Sequence, residues 1–135
     1  MLAKGIYTIE NEMAGQTIIN GVILETIKNT KENYILIINH VICEINKSLL
    51  ISKKYNNKTC NVHVYLKGCS LRNLPLTTIK KLIDVLSITF EDTLNYCYIY
   101  DVSNIAALTW NIIKRFIDPV TKKKVILIKS SKNHQ

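Results

Sequence analysis

The chain has 135 residues, 47% of them apolar, and carries 18 Lys plus Arg against 10 Asp plus Glu, a formal charge of +8. That length fits one domain, taken here as 1–135, with a single core, and the apolar content excludes wholesale disorder. The positive charge favours anionic partners, either nucleic acid or an acidic membrane surface, although a Lys-, Asn- and Ile-rich composition also follows from A/T-rich coding.

The longest uninterrupted apolar run is about five residues, so no helix is expected to cross a bilayer. The first twenty residues lack a cationic start followed by an apolar block, so no secretory signal is expected. Cys43, Cys60, Cys69 and Cys97 are irregularly spaced, and reduced thiols in a cytoplasm-like compartment are the expectation.

In chain order, residues 5–10 and 21–24 are short apolar stretches behind glycines and are predicted to be edge strands or a hairpin. Tyr34, Ile38, Val41, Ile42, Ile45 and Leu49 then recur at helical spacing, and the helix should fade near Tyr55. Residues 60–66 alternate, with Cys60, Val62, Val64 and Leu66 facing one way and Asn61, His63 and Tyr65 the other, which predicts a strand. Pro75 suits the first position of a helix whose apolar stripe is Leu76, Ile79, Leu82, Ile83 and Leu86. A second strand is predicted over 96–101, and Ser103 is the expected N-cap of the next helix. The buried face of that helix should be Ile105, Leu108, Ile112, Ile113 and Phe116, and Asp118-Pro119 should end it. A short buried strand is predicted over 125–128.

From residue 31 onward the order is therefore α-β-α-β-α-β. Such alternation predicts an α/β fold, a mainly parallel sheet with right-handed crossovers and helices on its faces. Ligands in such sheets are expected beyond the carboxyl ends of the strands.

No nucleotide-binding, serine-hydrolase or zinc-protease motif occurs, and no catalytic constellation can be assembled, so no enzyme is expected. His40 and Cys43 are three apart on a helix, whereas Cys60 and His63 fall on opposite faces of a strand. Zinc needs four convergent ligands, so neither a metal nor any other cofactor is expected. Glu91, Asp92, Asp101 and Asp118 lie at strand and helix ends, where carboxylates ordinarily cap turns. Lys114, Arg115, Lys122, Lys123, Lys124, Lys129 and Lys132 converge on the end of the third helix and the strand after it, an expected anion-binding surface. Scarce arginine and the lack of aromatics between the lysines argue against nucleic acid.

Residues 61–131 resemble the CRAL-TRIO family, the lipid-binding domain of phosphatidylinositol transfer proteins. The family pattern has a strand ending in D-L-K-G, a Y-P-E turn, a strand ending in N-A-P, and a helix running into K-P-F-L-D-P-x-T-x-x-K. The chain reads Tyr65-Leu66-Lys67-Gly68, then Thr89-Phe90-Glu91, then Asp101-Val102-Ser103, and then Lys114-Arg115-Phe116-Ile117-Asp118-Pro119-Val120-Thr121-Lys122-Lys123-Lys124. The departures are Tyr65 for the Asp, Thr89-Phe90 for Tyr-Pro, and Asp101-Val102-Ser103 for Asn-Ala-Pro.

The resemblance implies a single minimal lobe, lacking the family's N-terminal helical lobe and its C-terminal gating helix. It implies non-enzymatic binding, and intermembrane transfer or presentation, of phosphoinositides, meaning phosphatidylinositol or forms such as its 4,5-bisphosphate. The headgroup would be held by Glu91, Thr121 and Lys124, with Lys122 and Lys123 engaging further phosphates. The phosphatidylcholine site of the family uses hydroxyl residues where this chain has Cys60-Asn61-Val62, so choline lipids are not expected. An ungated apolar groove would be covered by a second copy in a homodimer or by the membrane, to which a cytoplasmic protein would attach peripherally. The alternative readings are a ligand-free protein-interaction module of the same fold and, behind it, a basic nucleic-acid binder.

Overall fold

A computed structural model describes residues 2–28, 30–69 and 76–129, without the side chains of 76–79 and 82. After a single turn, α1 (Leu2–Gly5), the chain forms a hairpin of β1 (Ile6–Asn11) and β2 (Ala14–Asn20). Its two-residue turn, Glu12–Met13, has positive φ at both positions, 53° and 59°. Asn11 pairs directly with Ala14, so the loop has the twist-matched geometry usually served by Asn-Gly. The strand expected over 5–10 is thus β1, but with Glu and Met in the turn its hairpin partner, β2, escapes pattern reading. The expected strand at 21–24 is instead a helix, α2 (Gly21–Glu25).

Next come α3 (Lys31–Lys53), β3 (Cys60–Tyr65), α4 (Leu76–Thr89), β4 (Leu94–Val102), α5 (Asn104–Ile113), a 3-10 turn at Lys114–Phe116, α6 (Pro119–Lys124) and β5 (Val125–Lys129). Thr30 and Ser103 cap α3 and α5, each accepting from a backbone N–H three residues on. The Pro75 expectation lies outside the described residues. Spatial order equals chain order, β1-β2-β3-β4-β5, with β1 antiparallel to β2 and the remaining pairs parallel.

That order explains the shape. Right-handed crossovers between strands added always on the same side place every connecting helix on one face of the sheet. Ile6, Val41, Ile45, Cys60 and Val62 form the core on that face, joined by Ile19, Val64, Leu86, Phe90 and Cys97. Helices thus cover one face rather than both.

Helix α3 meets the sheet through small side chains. Its fully buried positions include Ser48 and Ser52, which bind Thr17 Oγ1 and the Gly15 amide. The carbonyl of Glu44 accepts from both Thr8 and Thr17. At 23 residues, α3 is long and apolar enough to cross a membrane, contrary to the expectation from run lengths. One face of it, Val41, Glu44, Ile45, Ser48 and Ser52, is buried against the sheet.

All four cysteines are in the thiol form. Burial pushes the Cys60 thiol up to about 12, whereas Cys43 is exposed. A maleimide is therefore expected to label Cys43 in the folded protein and Cys60 only after denaturation, read by peptide mass mapping. Rapid native labelling of Cys60 would contradict this packing.

Candidate functional site

The uncovered face follows from strand alternation. Register aligns Ile18, His63, Tyr98 and Ile126 in one row across it, with Gln16, Asn61 and Tyr96 in the row on one side and Tyr65 and Tyr100 on the other. The expected alternation in β3 holds: Cys60 and Val62 are buried in the core, while Asn61, His63 and Tyr65 face outward. The rings stand in file. Tyr65 stacks on Tyr100 at 4.5 Å between centroids, and His63 lies 5.3 Å from Tyr98 and 5.8 Å from Tyr100.

A cavity of about 360 Å³ opens over this face between the β1–β2 hairpin and the ring file. Its volume is in the range of small-ligand sites. The pocket lies on the sheet face, not beyond the carboxyl ends of the strands as first expected. With the crossovers on the opposite face, no helix among the described residues covers this one.

The floor is a closed hydrogen-bond network. Gln16 Nε2 donates to the Asn11 carbonyl at 3.1 Å, which leaves its Oε1 to accept from His63 Nε2 at 2.6 Å. Nδ1 of His63 lies 2.7 Å from the Tyr100 hydroxyl, and accepts from it when the imidazole is neutral. Burial holds its pKa below the usual value, partly offset by Glu12, and burial likewise raises that of Tyr100. The unfolded chain takes up a proton near pH 6.5 that the folded protein resists. Stability is therefore complete above that pH and falls as the pH drops through it toward the folded-state pKa. Thermal melts between pH 8 and 5 are expected to show the decline, flattened in His63→Gln. An unchanged decline in that variant would assign it to another group.

Glu91 sits in the exposed turn before β4, and Thr121 to Lys124 lie in the short helix leading into β5, so all five predicted headgroup residues are at the amino ends of adjacent parallel strands. They share that end of the sheet, but Glu91 forms no ion pair with the lysines. Asp118 caps α6, accepting from the Thr121 amide at 2.9 Å. The Thr121 hydroxyl also bonds this carboxylate and, ahead of the backbone amides, holds the pKa of Asp118 below its usual value. Lys122, Lys123 and Lys124 occupy the last turn of α6, where cations also complement the helix dipole.

The largest departure is on α5. Ala106 and Ile113 are buried, but Ile105, Leu108, Ile112 and Phe116, expected inside, are 56%, 65%, 41% and 47% exposed. The helix is so apolar that periodicity did not reveal which side turns inward. Lys80 lies over the Phe116 ring, 4.5 Å from its centroid. Among the described residues no three His, Cys, Asp or Glu side chains converge on a metal site, and His40 Nε2 instead pairs with the Ile6 carbonyl at 2.9 Å.

Sequence reading missed the pocket because its parts come from three separated segments. The outward residues of β3 were the available signal.

A mainly parallel sheet wound in chain order, with helices on one side and an open pocketed face on the other, defines a class of one-sided α/β lobe. The chain belongs to the CRAL/TRIO family, whose domain profile matches residues 10–135. Members of that family bind lipophilic ligands. Among solved structures, the crystal structure of Sfh5 superposes with a TM-score of 0.69 at 17% identity, over 94% of this chain and 48% of that one. The likeness establishes the fold, and this chain spans about half the length of that relative. No curated protein sequence matches the chain.

Proposed function

We propose that the protein is a non-enzymatic, peripherally membrane-associated cytoplasmic binder of phosphoinositides, which it transfers between membranes or presents. The observation that carries this reading is the outward stripe Ile105, Leu108, Ile112 and Phe116, with Lys114, Arg115, Lys122, Lys123 and Lys124 beside it in the chain. Apolar side chains with adjoining cations are what an interfacial helix presents to an anionic bilayer. Each lysine near such a surface contributes about 1 kcal/mol.

The stripe docks, the lysines engage the inositol phosphates, and the lipid's apolar part lies against the uncovered sheet face. Because the Thr121 hydroxyl donates to Asp118, its role is to accept from an inositol hydroxyl. Glu91 accepts in the same way, and Lys124 supplies a point charge to phosphate.

Lys124→Ala is expected to lower phosphoinositide affinity about three- to tenfold, with the melting temperature nearly unchanged. Vesicle-to-vesicle transfer of phosphatidylcholine, phosphatidylinositol and its bisphosphate reads the effect. Equal transfer of an inositol lipid by variant and parent would remove Lys124 from the headgroup site. The stripe's other possible occupant is a second copy. A dimer in sedimentation that persists with inositol-lipid vesicles, together with no vesicle binding, would favour the interaction-module reading.

A further inference from the structure

The side of α3 turned away from the sheet carries a pattern that packing within one chain does not use. Leu36, Cys43 and Leu50 recur every seven residues and stand out in solvent, the two leucines 56% and 67% exposed. At about 100° per residue the three lie within about 20° of one line along the helix. The buried Val41, Ile45, Ser48 and Ser52 lie about 140–180° around from it, so the line points directly away from β1 and β2. Apolar side chains at seven-residue spacing form a seam for a second helix.

Polar residues on the same line select that helix. Glu32 stands one turn before Leu36 and Lys54 one turn after Leu50, while Asn39 and Lys47 flank Cys43 four residues to either side, all four exposed. Read backwards about Cys43, the line is its own complement. Laid antiparallel on a second copy, Leu36 meets Leu50, Glu32 meets Lys54, and the Lys47 ammonium donates to the Asn39 side-chain carbonyl. Cys43 then faces its own counterpart on the two-fold axis, as a self-complementary interface requires. A parallel pairing would set Glu32, Lys47 and Lys54 each against its like charge. Lys54 already binds Glu10 of its own chain at 2.9 Å, but it is 60% exposed there and an ammonium has three donors, so it can serve a second carboxylate. A bilayer is the poorer occupant, because Glu32 and Asn39 would enter it without partners.

We propose that α3 is the interface of an antiparallel homodimer, with the two copies of Cys43 facing each other across the two-fold axis. Helix axes about 8–10 Å apart, with Cα atoms about 2.3 Å from each axis, set the two Cys43 Cα atoms roughly 3.5–5.5 Å apart. From Leu36 to Leu50 the seam runs about 21 Å. One helix pair of that length buries less than the roughly 1,200 Å² of a standard interface, so the dimer is reversible. Because α3 lies on the helical side of the sheet, both open faces point outward and stay accessible. The proposal is therefore independent of the phosphoinositide reading.

Sedimentation of the full chain from about 1 to 500 µM is expected to show a monomer–dimer equilibrium with a dissociation constant of about 10–100 µM. Leu36→Glu combined with Leu50→Glu, both at exposed positions, should weaken it at least about thirtyfold with the melting temperature nearly unchanged. Glu32→Lys should weaken it about three- to tenfold, and adding Lys54→Glu should restore it, since that swap recreates the ion pairs only in the antiparallel register. Bismaleimidoethane at dimer-forming concentration should join two chains through Cys43, read by peptide mass mapping, and Cys43→Ser should lose the product. Leu108→Glu with Ile112→Glu, on α5, should dimerise like the parent. A dimer that survives in the folded Leu36→Glu, Leu50→Glu chain, no rescue by the charge swap, or a cross-link that avoids Cys43 would overturn the proposal. So would a parent that stays monomeric throughout, and loss of vesicle binding in the leucine variant would then assign the line to a bilayer.

Discussion

Gly15→Ala is expected to leave the protein largely unfolded at 37 °C. A methyl group at Gly15 would fall inside the backbone of Ser48, overlapping its Cα, carbonyl carbon and oxygen. Backbone cannot step aside as a flexible side chain can, so α3 would have to lift from β2. That movement would break the Ser52 bond to the Gly15 amide (2.9 Å) and the Thr17–Ser48 hydroxyl contact (2.5 Å), and loosen Val41 and Ile45 in the core. Overpacking combined with a broken buried network exceeds about 4 kcal/mol, against about 5–15 kcal/mol of total stability. Urea denaturation followed by circular dichroism measures it. A loss below about 1 kcal/mol would show that the helix–sheet approach is looser than described.

The second large effect concerns α5. Leu108→Glu combined with Ile112→Glu is expected to reduce binding to vesicles containing phosphatidylinositol bisphosphate by about a hundredfold. Both side chains already face solvent, at 65% and 41% exposure, so the folded protein loses little by the change. At the membrane each contributes about 1.5 kcal/mol or more when buried, and two together give about 3 kcal/mol. The two new carboxylates also repel the anionic surface. Vesicle co-sedimentation reads the loss, with the melting temperature as the folding control. Undiminished vesicle binding would rule out α5 as the docking element. The same variant separates its two possible occupants, because dimer dissociation with vesicle binding retained would assign the stripe to self-association.

These two predictions stand on opposite sides of what pattern reading can reach. Residues 60–65 announced a strand because alternate positions there meet two different environments, one a core and one not. Ser103 announced a helix start because a hydroxyl before an apolar run satisfies an orphan amide, and it does so for Ala106 at 3.1 Å. The order of elements after residue 31 announced a parallel sheet, since helices between strands permit little else. The lysines near β5 were legible as a charge run, and the D-P-x-T-x-x-K pattern gave them a role by resemblance.

The hairpin's turn and its second strand were not legible, because Glu12 and Met13 adopt positive φ without the glycine or asparagine that signals such a turn. The inward face of α3 was legible in Val41 and Ile45, but not in Ser48 and Ser52, which stand where Gly15 and the close approach of β2 leave room only for small side chains.

From residue 31 onward the sequence by itself determined the main element types and their order, and with them the family to which the chain belongs, because these depend on local spacing, capping and short motifs. Tertiary structure alone decided which face of the sheet stays open and which side of α5 looks outward, and it assembled Gln16, His63, Tyr65 and Tyr100 around one cavity. Those outcomes arise from crossover handedness and from contacts between residues far apart in the chain, 47 positions for Gln16 and His63, which no local pattern encodes.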